Sequence, residues 1–210
     1  MNEIESESKF VWKFIFKILL TPITLLLILF NKKEFKDLFE PFNELIKFVL
    51  EPKFTFFIIV INIIIFFYSI FIDEKLLISL INYPKNLIDL KLYTLITSGF
   101  LHANFYHLIG NIIGIFIFGR IVEKKLGFFK TFLIYFGALI ISNLFSSLIH
   151  LYILNDNIGG LGASGALMGF VSAAILLNPF YLTYEAIIPL PIMLVGWLII
   201  YADISGLINP

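Results

Sequence analysis

The sequence predicts an all-α, polytopic membrane protein: a helical bundle of five core spans behind an N-terminal hydrophobic helix. Three observations carry this. Of 210 residues, 60% are hydrophobic and 14% charged, whereas an ordinary soluble domain carries about 25% charged residues; the charges are too few to coat a globule. Mean hydropathy is +0.97. Runs without a formal charge reach the ~20 residues that one bilayer crossing requires.

The elements follow from where charge is missing. An acidic opening (Glu3, Glu5, Glu7) precedes an apolar run over residues 10–30. Lys9, Lys13 and Lys17 fall four apart on one helix face, so two readings stand: a helix lying in the interface, or a span whose lysines snorkel. No small-residue cleavage site follows, so the run does not read as a removable signal peptide. Residues 32–53 mix both signs with Phe, Leu and Ile, as a membrane-hugging linker does. This divides the chain into an N-terminal part, 1–52, and a membrane core, 53–210.

In the core, spans are expected at 54–72, 104–122, 128–154, 163–178 and 186–202, with a polar connection over 73–91 that turns at Asn82-Tyr83-Pro84. Arg120, Glu123, Lys124, Lys125 and Lys130 form the most basic short loop, and no Lys or Arg follows Lys130. The positive-inside rule places that loop in the cytoplasm. The 73–91 connection and the 155–162 loop are then outside.

Composition also excludes classes. Fifteen Lys+Arg balance fifteen Asp+Glu, leaving no basic field for nucleic acid. With no Cys there are no disulfides, no thiolate metal sites and no cysteine nucleophile. His102 and His107 have the wrong spacing for one helix face and lack a completing carboxylate, so no metal site is expected. No cofactor is implied. A transporter fits poorly, because no inverted repeat is apparent and Glu185 and Asp203 make no ion relay.

Polar residues within membrane helices are costly and by default mark function. His107 and Asn111 lie four apart on one helix face. His102 falls about 140° round from His107, so it sits in the entry turn or on another face. A helix over 164–178 is about 22 Å long, short of the ~30 Å hydrocarbon core, so Ser164 starts below the outer surface. Asn111, seven residues below Asn104, sits roughly 10 Å down its own helix. The Gly-rich 157–162 must run extended to that depth, which membranes tolerate only beside protein or a wet cavity. A serine opening a helix, opposite an Asn amide and a His N–H, makes an oxyanion site around a nucleophile. Gly162 and Gly165 permit the tight turn and the close helix approach. Taken singly, each piece has a plainer reading: small-residue packing for the Gly-Ala-Ser-Gly run, headgroup-level placement for His150, and a solvated helix end for Glu123.

Together, residues 97–111 (Thr-Ser-Gly-Phe-Leu-His-Ala-Asn-Phe-Tyr-His-Leu-Ile-Gly-Asn), 119–123 (Gly-Arg-Ile-Val-Glu) and 162–169 (Gly-Ala-Ser-Gly-Ala-Leu-Met-Gly) resemble the rhomboid intramembrane serine proteases in order and spacing. The resemblance spans residues 52–210. It implies a six-helix core with a Ser–His dyad in a water-filled cavity, acting on transmembrane protein substrates in a cell membrane the chain crosses several times. By position, Ser164 resembles the nucleophile, and His107, Asn111 and the Ser164 N–H the oxyanion hole. His102 resembles a loop brace, Gly162 and Gly165 the flanking glycines, and Glu123 the polar anchor ending the second core helix.

The sequence departs from the family in three places. No sixth span with the base His is present, Met168 replaces an aromatic one turn after the serine, and the Trp-Arg pair of the first loop is absent. The expectation is therefore an enzyme cut off before its base and inactive alone. The alternative is a non-catalytic rhomboid-like protein that binds transmembrane helices.

Overall fold

The computed structural model describes residues 4–183 and 190–208, which are helical almost throughout. They fall into two units: Pro52–Leu177, and Met1–Glu51 with Asn178–Pro210.

In the N-terminal segment, the run expected over 10–30 is two helices, α1 (Ile4–Leu19) and α2 (Thr21–Leu29), bent by 49° where they meet. Pro22 stands in the first turn of α2; it cannot donate to the carbonyl one turn back, and the helix breaks there. After a 3₁₀ turn at Phe35–Phe39, the linker forms α3 (Glu40–Leu50). Two of the three lysines are paired. Lys13 pairs with Glu44 at 3.1 Å, and Lys17 with Glu40 and Glu44, both at 2.9 Å. Beside them Phe10 stacks on Phe48 at 4.2 Å. Trp12, Phe16 and Leu19 on α1, and Phe42, Ile46 and Leu50 on α3, are exposed. Charges join the two helices and apolar side chains face outward, the reverse of a water-soluble hairpin and the arrangement lipid favours.

The core unit opens with α4 (Lys53–Ser69). The 73–91 connection is helical where a polar loop was expected: Asp73 caps α5 (Glu74–Leu80) by accepting the Lys75 N–H at 2.9 Å, and α6 (Lys85–Ile88) follows. Short α7 (Thr94–Thr97) and a 3₁₀ turn at Ser98–Phe100 lead to the second core helix. That helix is α8 (Phe105–Gly114), a wide π turn over Ile115–Gly119, and α9 (Arg120–Leu126). It runs four residues past the expected end at 122. The basic loop thus shrinks to Gly127 at φ 79°, a value glycine adopts without strain, and Arg120 is buried at 3% exposure.

From there α10 (Phe128–Ile149) continues through a second π turn, His150–Leu154. Across from it lies α11 (Ser164–Leu177). A side chain at Gly165 would strike Ser142, and one at Gly169 would strike Ala138; small residues on one face let the two helices approach closely. Phe54, Tyr135 and Phe170, all fully buried, form the aromatic centre, with Tyr135 5.8 Å from Phe54 and 5.6 Å from Phe170.

Among the described residues, two helices, Phe105–Leu126 and Phe128–Leu154, are long and apolar enough to cross a membrane, or up to four if each bent helix pair counts as one span. Beyond α11, β1 (Leu182–Thr183) pairs antiparallel with β2 (Leu190–Pro191), and α12 (Ile192–Ile208) follows. The last apolar helix therefore starts at Ile192 where a span from 186 was expected; positions 186–189 lie outside the described residues.

Candidate functional site

The outer end of the second core helix is built by Asn104. Its backbone is extended and its side chain accepts the His107 N–H at 2.9 Å, which starts the helix and sets the rotation of His107 and Asn111. His102 stands in the turn before it, buried at 8% exposure, the first of the two places its spacing allowed. The two imidazoles meet edge to face with centroids 5.2 Å apart.

His107 also touches the loop opposite. A Cβ built on Gly162 would fall 2.6 Å from both Cε1 and Nε2 of the ring, and Gly162 has φ 114°. Only glycine tolerates both the backbone angle and the approach. Two residues on, after fully buried Ala163, half-buried Ser164 opens α11. Residues 155–159 form no regular structure, as expected for the descent, and Gly160 joins an isolated bridge to Asn82.

Asn111 lies one turn below His107, buried at 5% exposure. Its amide nitrogen donates to the His107 carbonyl at 2.9 Å, while its Oδ1 has no hydrogen-bond partner among the described residues. One amide proton is thus held by the helix, which leaves the other for an incoming oxygen. Both His102 ring nitrogens are also unpartnered; the Phe100 carbonyl stands close to that ring without completing a hydrogen bond.

The structure therefore gathers His102, His107 and Gly162, with Asn111 below and Ser164 just beyond. Gly165 turns to α10 and serves packing. Glu123 is elsewhere: twelve residues past Asn111, about 18 Å along the same helix. It is neither beside the serine nor a solvated helix end. Buried at 9% exposure, its carboxylate accepts the Phe54 and Thr55 N–H groups, each at 2.9 Å, and the Thr55 hydroxyl at 2.8 Å. It caps α4 from a different helix, a placement that also suits the positive end of the α4 dipole.

Sequence reasoning missed the groups holding the serine's loop. Asn82 is buried at 2% exposure, and its backbone N–H and carbonyl pair with Gly160 at 3.2 and 2.9 Å; in the sequence it marked only a turn. His150 is more than a headgroup-level residue, because its Nδ1 lies 2.6 Å from Asp156 Oδ1. The Ile158 N–H holds the Asp156 carboxyl below its ordinary range, with His150 adding to the effect. Among the described residues, no three of His, Cys, Asp and Glu gather as a metal site would require.

The Rhomboid domain family matches residues 89–210. RHOMBOID-like protein 12, mitochondrial, of Arabidopsis thaliana is 30% identical over 148 residues, covering 64% of this chain and 43% of that protein. Rhomboid-like protein 11, chloroplastic, of the same plant is 33% identical over 126 residues, covering 59% of this chain and 41% of its own length. RHOMBOID-like protein 6, mitochondrial, is 40% identical over 85 residues, covering 39% and 25%. The chain spans less than half the length of these relatives.

Proposed function

The chain belongs to the rhomboid family, and from that premise we propose that it is the catalytic core of an intramembrane serine endopeptidase, a hydrolase cutting transmembrane helices of membrane proteins. The observation that carries the reading is the contact of the His107 ring with Gly162, two residues ahead of Ser164, with Asn111 on the same helix face. Ser164 Oγ attacks the scissile carbonyl and passes its proton to a base. The carbonyl oxygen takes the negative charge and is met by His107, the Asn111 amide and the Ser164 N–H. Collapse expels the protonated amine, and water releases the acyl group.

The resemblance assigns the base to a histidine on a sixth helix. The sequence has three histidines, none at that position, and His150 is engaged by Asp156. A second reading is a non-catalytic member that holds transmembrane helices in the same cavity. The membrane is read as the cell membrane, whereas the relatives are named mitochondrial and chloroplastic; cell fractionation decides between these.

The test of activity expresses residues 1–210, the same residues with a histidine-bearing sixth helix appended, and Ser164→Ala in both forms, against a reporter transmembrane substrate. We expect cleavage only by the extended form, lost in Ser164→Ala. Cleavage that survives Ser164→Ala overturns the nucleophile. No cleavage by either form, with the substrate still captured, selects the non-catalytic reading.

A further inference from the structure

Ser164 gains its position from a loop, and loops are the mobile parts of a fold. We propose that Asn82 is a positioning residue for Ser164: it pins the descending loop at Gly160, four residues ahead of the serine, and so sets the depth and rotation at which α11 begins. The proposal rests on the reading of Ser164 as nucleophile.

Asn82 ties three elements together at one buried point. Its backbone exchanges both hydrogen bonds with Gly160, the strongest form of antiparallel pairing. Its side-chain nitrogen donates to Ser147 Oγ at 2.9 Å and to the Asn143 carbonyl at 3.3 Å, both on α10. Its Oδ1 lies 3.2 Å from the Thr94 hydroxyl, whose one proton it shares with the Lys91 carbonyl at 2.8 Å. Both amide protons of the side chain are thus directed at α10, which fixes its rotamer.

A second pin lies two residues on, where the Gly162 N–H donates to the Ser98 carbonyl at 2.9 Å. Asn143 holds Ser98 in turn, donating to its Oγ at 3.1 Å and to the Leu95 carbonyl at 2.8 Å. The two pins are thus two residues apart on the loop that leads to Ser164. Both lead to α10, the helix on which Gly165 rides directly after Ser164. From Gly162 to Ser164 the chain reaches at most about 7 Å, which leaves little slack once the pins are set.

Asn82→Asp tests this without disturbing shape, because it is isosteric yet turns an oxygen onto the Asn143 carbonyl. In the full chain in nanodiscs, amide exchange of a peptide covering 157–163 should quicken about tenfold or more, while peptides from α10 and from 105–126 keep their rates. With the sixth helix supplied, kcat should fall by the order of 10²-fold, as a misplacement of about 1 Å costs, with KM within about twofold. Ser147→Ala should give a smaller change of the same kind and add nothing to Asn82→Asp.

Unchanged exchange over 157–163 overturns the proposal. So does quickening spread evenly through α10, which marks a general folding role, and so does a change carried by KM. Should Ser164→Ala leave cleavage intact, the nucleophile reading falls, and the exchange data alone decide whether Asn82 pins the loop.

Discussion

The two ends of the second core helix are built on opposite rules. At the inner end Glu123 is buried and every oxygen of its carboxylate is used, on two N–H groups and one hydroxyl of α4. At the outer end Asn111 Oδ1 and both His102 nitrogens are buried without partners among the described residues. In a low-dielectric interior a satisfied network stabilises, while an unsatisfied polar atom costs about 1–3 kcal/mol. One end of a single helix has its buried polar atoms satisfied, and the other carries unsatisfied ones at the fold's expense. The two conditions are separated along about 18 Å of one element.

Substitutions can break or sharpen that contrast. The largest effect is expected for Glu123→Ala, which strands two buried N–H groups and a hydroxyl; thermal unfolding in detergent should report a loss of about 3–5 kcal/mol. A loss below about 1 kcal/mol would show the inner end to be as expendable as the outer. Gly162→Ala comes next. It puts a Cβ against His107 at a strained φ, costing about 1–3 kcal/mol, and should reduce cleavage by displacing the His107 ring, which a stability measurement paired with an activity assay separates.

Asn111→Leu should run the other way. Removing an unpaired buried oxygen is expected to leave stability unchanged or raise it by up to about 1 kcal/mol, while cleavage is lost. A large destabilisation would mean that Asn111 is structural and would erase the contrast. The smallest effect is that of pH on the Asp156–His150 contact. Asp156 titrates below its ordinary value of 3.8 when folded, so its contribution is complete above that value and is lost as pH falls through the lower, folded one. Protection of the Ile158 amide, measured against its intrinsic exchange rate at each pH, should fall only in that acid window and should not change with pH in Asp156→Asn.

Much of this was legible in the sequence, for physical reasons. The outer end announced itself because His107 and Asn111 repeat at helical spacing within an apolar run, and because a Gly-rich descent to Ser164 makes sense only beside protein or water. Glu123 was placed at a helix end, but its partners are 69 and 68 residues away in sequence, and no local pattern names them. The helix was expected to stop at 122 because charges begin at Arg120, yet Arg120 is buried within it. The 73–91 connection was taken as a loop since α5 and α6 are too short to show a period. Asn82 was hidden by its own versatility: beside Tyr83-Pro84 it reads as a turn residue, and only the fold brings Gly160 to it.

The join at Gly127 has a consequence for topology. With a single residue between Phe105–Leu126 and Phe128–Leu154, the two candidate spans form one tight hairpin. Arg120, Lys124, Lys125 and Lys130 cluster about its bend, and basic residues resist translocation. By that rule the bend stays behind and both open ends of the hairpin face the opposite side, so the loop that follows Leu154 and leads to Ser164 starts from that side.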